Sequence, residues 1–316
     1  VRAVVIGSGI VGLSTAFELL RRGCEVVVVS ADEVRSTTSF LAAAVWFPTA
    51  AGPADRVSAW SAETFTQLER LARDEVPGAR MCKSLTVYRD EPEIPAWAGT
   101  VGEFRRARAD ELPPHYRSGF RFTVPLIEMP VFLPWLESQV RRGGARWVRR
   151  TIRKLDELDD LAPDVIVNCA GLRAGLLADD ANVHPIRGQI VRVANPGISM
   201  SVRDEAHPLG RAYVHPRADD CILGGSLEVG AWDRTPDPQL TQSILRRCRD
   251  LVPRLADSTV LETLVGLRPG RAEVRLELDD TGSAPIPVIH NYGHGGSGVT
   301  IGYGCAREVA ALVESL

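Results

Sequence analysis

Cysteine is sparse and unclustered. Cys24, Cys82, Cys169, Cys221, Cys248 and Cys305 are spread over 316 residues, form no Cys-x-x-Cys pair and do not gather with histidine at zinc-ligand spacing. A disulfide scaffold is thereby excluded and no metal centre is expected; the residues read as mostly buried thiols of a protein in a cytoplasmic compartment. Neither sign of charge is in excess, since 37 Lys and Arg against 40 Asp and Glu leave a net charge of -3. That lacks the basic surplus with which proteins neutralise a phosphate backbone, so nucleic acid is not an expected partner. Long apolar runs are missing too: the longest early one, Val26 to Val29, is far short of the ~20 residues of a membrane span. No cationic leader precedes a secretory apolar core, and membrane association is not expected. With 45% hydrophobic and 24% charged residues, the composition is that of a folded globular protein, and the length predicts about two domains.

What is present is a repeated design of strand followed by glycine. Val4 to Ile6 is apolar and β-branched, Gly7 to Gly12 interrupts it, and Leu13, Ala16, Phe17 and Leu20 fall at helical spacing up to Arg22. Gly23 ends that helix and Glu25 to Ser30 forms a second strand, giving a βαβ unit of the kind that builds parallel sheets. Asp164 to Cys169 repeats the buried-strand pattern before Ala170-Gly171, and Pro287 to His290 leads into a glycine-rich stretch and a closing helix, Val299 to Leu312. Residues from Trp46 to Pro130 and from Gly188 to Leu264 have a different character, with short strand-like runs such as Ile190 to Val193 and Cys221 to Leu223. They read as a second, discontinuous domain. Arg203 to Arg217, rich in Pro, Gly and charge, reads as an exposed loop that covers a site.

Gly7-x-Gly9-x-x-Gly12 carries the chemistry of the first unit. The first glycine permits a tight turn and the second lets backbone N–H groups reach a pyrophosphate. The third allows close helix–sheet packing, while the positive helix end, through Ile10 and Val11, faces the anion. An acidic residue ~20 positions on binds a ribose hydroxyl in such units. Asp32 lies near that spacing with Glu33 beside it, and Ser30 is an alternative occupant of the position. The fingerprint alone does not separate a nicotinamide from a flavin.

The C-terminal stretch separates them. Val288-Ile289-His290-Asn291-Tyr292-Gly293-His294-Gly295-Gly296-Ser297-Gly298, then Gly304-Cys305-Ala306, resembles the signature of the D-amino-acid oxidase family. Further segments agree in order along the chain: Val4 to Gly7 through Gly12 to Thr15, Ala42 to Trp46, Val165 to Gly171, Arg187-Gly188-Gln189-Ile190 and Gly266-Leu267-Arg268-Pro269. The resemblance implies an α/β (α+β overall) protein with FAD as cofactor. Its Rossmann-like FAD-binding domain would comprise 1–46, 131–187 and 265–316, and its substrate domain, 47–130 and 188–264, would be built on a mainly antiparallel sheet.

It also implies site residues. Arg268 and Tyr213 would clamp a substrate carboxylate, with a bidentate guanidinium fixing orientation, and the Gly296 carbonyl would accept from the substrate amine. Gly295, Gly296, Gly298, Val299 and Thr300 would line the flavin's pyrimidine end, with His294 and Arg268 also against the cofactor. Ser36, Thr37 and Thr38 would donate hydroxyls to phosphates. Ala42, Ala43, Ala44 and Val45 would set backbone N–H groups at flavin N5, and Ile152 would meet the adenine. His294 is discounted as a general base, Trp46, Trp60 and Trp135 read as core, and Arg187 has no assignable role.

The implied reaction moves the Cα hydrogen of a D-amino acid as hydride to the flavin and ends in a 2-oxo acid, ammonia and, with dioxygen, hydrogen peroxide. Val45 and Phe47 favour neutral or hydrophobic side chains, whereas Arg211, His215 and Arg217 near Tyr213 are candidates for a second carboxylate, as in a D-aspartate oxidase. A related flavoprotein amine oxidase or dehydrogenase is the other alternative. Leu209 stands where vertebrate relatives carry a lid tyrosine, so the entrance lacks that gate. The resemblance further implies a homodimer.

Overall fold

The computed structural model describes residues 1–48, 51–279 and 285–316. Its first sheet has six strands: β1 (Arg2–Ile6), β2 (Glu25–Ser30), β6 (Arg146–Arg149), β7 (Val165–Asn168), β14 (Arg275–Leu278) and β15 (Val288–Tyr292). They lie in the order β14-β15-β7-β1-β2-β6, parallel except for β14. Val4, Val5, Val27, Val28 and Val167 are fully buried, because helices cover both faces of a parallel sheet and its strands become continuous apolar runs. Helix α1 (Ile10–Arg21) follows β1 directly and stops where Gly23 turns to φ +79°.

The second sheet holds nine strands: β3 (Ala79–Tyr88), β4 (Gly102–Arg106), β5 (Ser118–Ile127), β8 (His184–Ala194), β9 (Ser201–Asp204), β10 (Ala212–Pro216), β11 (Asp220–Gly224), β12 (Glu228–Val229) and β13 (Val260–Gly270). All its pairings are antiparallel except β3 with β9. β8 pairs with β13 along its whole length, from Gly270 opposite His184 to Val260 opposite Val193. That pairing sets Arg268 opposite Ile186 and Gly266 opposite Gly188.

Five more helices complete the chain: α2 (Ala54–Arg73), α3 (Met129–Arg142), the single turn α4 (Ala174–Leu177), α5 (Pro238–Leu251) and α6 (Gly298–Glu314). α2 buries Val57, Trp60, Thr64, Phe65, Leu68 and Leu71, the three-and-four spacing of one helical face, and packs on α6, where Gly304 N–H donates to the Thr64 hydroxyl at 2.9 Å. Trp46 and Trp60 are core, at 0% and 2% exposed, and Trp135 packs partly buried against the same core. α5 begins at Pro238 with Asp237 as its cap, the carboxylate accepting from Gln239 and Leu240 N–H at 2.8 and 3.2 Å.

One expectation is overturned. Arg203 to Arg217 is not an exposed loop: its ends are β9 and β10, with Arg203, His215 and Arg217 buried, and only 205–211 forms the connecting turn. Proline, glycine and charge signal a turn, but cross-strand pairing and buried hydrogen bonds hold the flanking charged residues in strands. The cysteines are free thiols, five of them buried. No helix among the described residues is long and apolar enough to cross a membrane.

Candidate active site

The carboxyl ends of β1, β2 and β15 and the open face of the second sheet border one cavity of about 660 Å³. At its first end the chain leaves β1 at Gly7, whose φ of +111° is open to glycine at little cost. A Cβ on Gly7 would run into the Cys169 carbonyl, and one on Gly12 into the Gly7 carbonyl, so strand, turn and helix pack at backbone contact. The first N–H groups of α1 therefore face the cavity without intrahelical acceptors. Ile10 N–H meets the Ser39 hydroxyl at 3.0 Å, and Ser39, which lines the cavity, escaped sequence reasoning because serine in a turn carries no distinctive spacing.

Gly9, Val11 and Gly12 line this end with Asp32, which is exposed at the rim. Ser30 lines the cavity too, but its hydroxyl is engaged with Ser8 Oγ and the Asp32 carbonyl, both at 2.7 Å. Glu33 is paired with Arg149 at 2.7 Å. Ile152 lies in the wall beside Arg150. Thr37 and Thr38 line the cavity, but as arranged their hydroxyl protons go to the carbonyls of Val34 (2.7 Å) and Leu267 (3.0 Å), not towards a phosphate. Ala42, Ala43, Ala44 and Val45 form the next part of the wall.

The opposite wall is the loop into α6. Gly293 and Gly295 take φ of +84° and +53°, and Gly295 N–H bonds the Pro269 carbonyl at 2.8 Å. Gly296, Gly298, Val299 and Thr300 bring the start of α6 to the cavity, so the positive ends of two helices converge on it. Two buried polar atoms of this wall, His294 Nε2 and Asn291 Oδ1, have no partner among the described residues. Burial alone draws the His294 imidazole down to about 4.

Arg268 and Tyr213 meet in the same cavity. The Arg268 guanidinium lies flat on Gly188, where a Cβ would overlap it, and donates to the Ser226 carbonyl at 3.1 Å. Gly296 sits beside the Arg268 side chain, its virtual Cβ 3.5 Å from Cδ. Tyr213 stacks on His215, with ring centroids 4.6 Å apart, and its hydroxyl end rests on the backbone of Gly224 and Gly225. Burial raises the Tyr213 phenol, with the Arg268 charge opposing.

Arg203, next to Tyr213 across β9 and β10, was missed in the sequence because its segment reads as a loop. Its guanidinium lies 3.7 Å from the centre of the Phe47 ring, NH1 is 3.7 Å from Glu205, and Nε has no partner among the described residues. Desolvation lowers it from the usual arginine range while Glu205 opposes. Arg211 also pairs with Glu205, at 3.3 Å. His215 accepts from Arg203 at Nε2 (3.3 Å), so Nδ1 carries the proton and donates to Ser201 Oγ at 2.8 Å. Burial and then Arg203 push it far below its ordinary value. Arg217 turns away into a bidentate pair with Asp220, at 2.6 and 2.7 Å. At the mouth, Leu227 and the 64% exposed Trp232 line the cavity, whereas Leu209 is exposed outside its lining.

The arrangement fits FAD. A glycine cradle at backbone contact, two helix N-termini and unpartnered buried donors and acceptors line one elongated cavity, and those are the groups a dinucleotide's phosphates and a flavin's polar edge require.

The chain matches the family model described as FAD dependent oxidoreductase over residues 2–312. It is 49% identical to a D-amino-acid oxidase of Rubrobacter xylanophilus, over 98% of this chain and 95% of that one. It is 35% identical to a D-aspartate oxidase of Homo sapiens, over 99% of this chain and 94% of that one. Among solved structures, a glycine oxidase from Geobacillus kaustophilus superposes with a TM-score of 0.82 at 18% identity, covering 99% of this chain and 94% of that one, which shows a shared fold. With a family match across almost its whole length, the chain belongs to the D-amino-acid oxidase family of FAD dependent oxidoreductases.

Proposed function

We propose that this protein oxidises D-amino acids with dioxygen and water to 2-oxo acids, ammonia and hydrogen peroxide. The observation that carries this reading is the meeting of Arg268, Tyr213 and the glycine loop before α6 in one cavity. Arg268 presents two parallel charge-assisted donors to the substrate carboxylate, and the Tyr213 hydroxyl supplies a third. The Gly296 carbonyl takes the amine. These contacts fix Cα by its substituents, which is how one enantiomer is chosen and how alignment lowers the barrier.

When bound, FAD supplies an acceptor for the Cα hydrogen as hydride and passes the two electrons to dioxygen. The substrate reacts as the neutral amine, whose lone pair assists departure, and water hydrolyses the imino acid. No side chain has to take a proton in that transfer, and His294, held near 4, is too weak a base to do so at neutral pH. Gly7, Gly9, Ile10, Val11 and Gly12 would hold the pyrophosphate, Asp32 the ribose and Ile152 the adenine. Ala42 to Val45 with Gly295, Gly296, Gly298, Val299 and Thr300 would hold the flavin ring, and the start of α6 would stabilise negative charge on it. The division into 1–46, 131–187 and 265–316 for the cofactor and 47–130 and 188–264 for the substrate belongs to the same reading.

For the side chain, neutral D-amino acids are the first reading. Glu205 bridges Arg203 and Arg211, and Phe47 covers the Arg203 guanidinium, which together soften the positive charge. A specific observation supports a second reading, D-aspartate: Arg203 Nε lacks a partner among the described residues, and the human relative is a D-aspartate oxidase. Comparison of kcat/KM for D-leucine, D-alanine, D-aspartate and L-alanine, with peroxide and ammonia counted per turnover, tests both. Preference for the L-enantiomer, or turnover of glycine or sarcosine alone, overturns the proposal.

A further inference from the structure

Both members of the carboxylate clamp rest on one short segment, residues 224–226. The Tyr213 hydroxyl end abuts the backbone of Gly224 and Gly225, and Arg268 donates to the Ser226 carbonyl at 3.1 Å. Position 226 is in turn held by a part-buried polar network. Gln189 N–H donates to Ser226 Oγ at 2.9 Å, and Ser226 Oγ donates to Glu228 at 2.8 Å. The network converges on Arg187, which is 4% exposed. Its guanidinium donates to the Glu228 carboxylate (2.7 Å), the carbonyls of Asp233 (2.8 Å) and Thr235 (2.6 Å), and Gln189 Oε1 (3.2 Å). A lone ion pair needs one partner; a guanidinium spread over three points of the segment 228–235 fixes where that segment lies.

Resting on the proposed carboxylate clamp, we propose that Arg187 is a positioning residue for substrate binding: through Glu228 and Ser226 it sets the Ser226 carbonyl that orients Arg268. Arg187 does not itself line the cavity; its network reaches the wall at Ser226 and through the segment 228–235, where Trp232 and Arg234 line it, and the Ser226 carbonyl is the point at which it meets Arg268. The role also accounts for Arg187-Gly188-Gln189 as a unit. Arg187 and Gln189 point into the network, and Gly188, between them, faces the opposite side of the strand and leaves room for the Arg268 guanidinium.

The test uses the FAD-loaded protein with benzoate, a carboxylate without an amine, titrated by its change in the flavin spectrum, alongside steady-state kinetics with D-alanine. Arg187→Met should weaken benzoate and raise the D-alanine KM roughly tenfold, the loss of one charge-assisted contact, with kcat changed less and FAD affinity within about twofold. Glu228→Gln, at a half-exposed side chain that folding tolerates, should give a weaker effect of about threefold in the same direction. Unchanged benzoate affinity in either folded variant overturns the inference, as does a parallel fall in FAD affinity. A wild-type protein that binds benzoate but oxidises no D-amino acid contradicts the proposed function, and the benzoate arm still decides the role of Arg187. A wild type that binds no carboxylate overturns both.

Discussion

Arg268 illustrates how much a single side chain needs around it. In the proposed clamp its charge would attract a carboxylate, and its direction comes from Gly188 beneath the guanidinium and the Ser226 carbonyl at its edge. Arg268→Met should lower kcat/KM for D-alanine by about 100-fold, the worth of a charge-assisted pair, chiefly through KM, while flavin absorbance stays with the protein; loss of FAD on gel filtration would contradict that division of labour. His294 is the other informative residue. Its lowered pKa means that the unfolded chain takes up a proton that the folded one refuses between about pH 6.5 and 4. Stability is therefore full above pH 6.5 and declines as pH falls through that window, by about 2 kcal/mol at pH 5 for this group. Urea unfolding at pH 7.5 and 5 checks the sign, and His294→Gln should reduce the difference, leaving the share of His215 and His290, which are lowered in the same direction. At this scale the sequence exposed the glycines, Arg268 and Tyr213, because each occupies a motif. It hid Arg203, whose neighbours in sequence are turn formers and whose importance arises from its cross-strand neighbour, Tyr213.

Among the elements, β8 ties cofactor wall, clamp and mouth together. Its first half pairs with β12, its length with β13, and alternate residues face opposite sides. Gly188→Ala should push Arg268 off its seat, since a Cβ there overlaps the guanidinium and a strand paired on its other edge cannot retreat. Benzoate affinity should drop by roughly 10- to 100-fold, the range that an ångström of misplacement produces, with FAD retained; a variant that binds benzoate normally would show that the seat is not needed. The strands β1, β2, β7 and β15 were legible because a buried parallel strand is a plain apolar run, and α1 and α6 because their periodicity is clean. β9 and β10 were not, because their inward positions carry arginine and histidine satisfied by each other and by serine rather than by apolar packing.

For the whole molecule, the proposed division of labour between the two sheets is stated by one sequence only in part. The first sheet ends its strands at a glycine cradle, a geometry written locally in Gly7 to Gly12. The second assembles the proposed substrate site from β8, β10, β11 and β13, whose closeness is a matter of register between residues far apart in sequence, such as Arg268 and Ile186, 82 positions apart. The mouth is likewise a tertiary product: the aromatic at the entrance is Trp232, far along the chain from Leu209. The central claim, that this architecture takes the α-hydrogen of a D-amino acid, is tested most directly by spectra of the FAD-loaded protein under nitrogen as D-alanine, D-leucine, D-aspartate or L-alanine is added. Bleaching of the flavin band by D- but not L-alanine, with one equivalent of hydrogen peroxide on admitting air, is the predicted result. A flavin that stays oxidised with every D-amino acid, or that L-alanine reduces as fast, would contradict it.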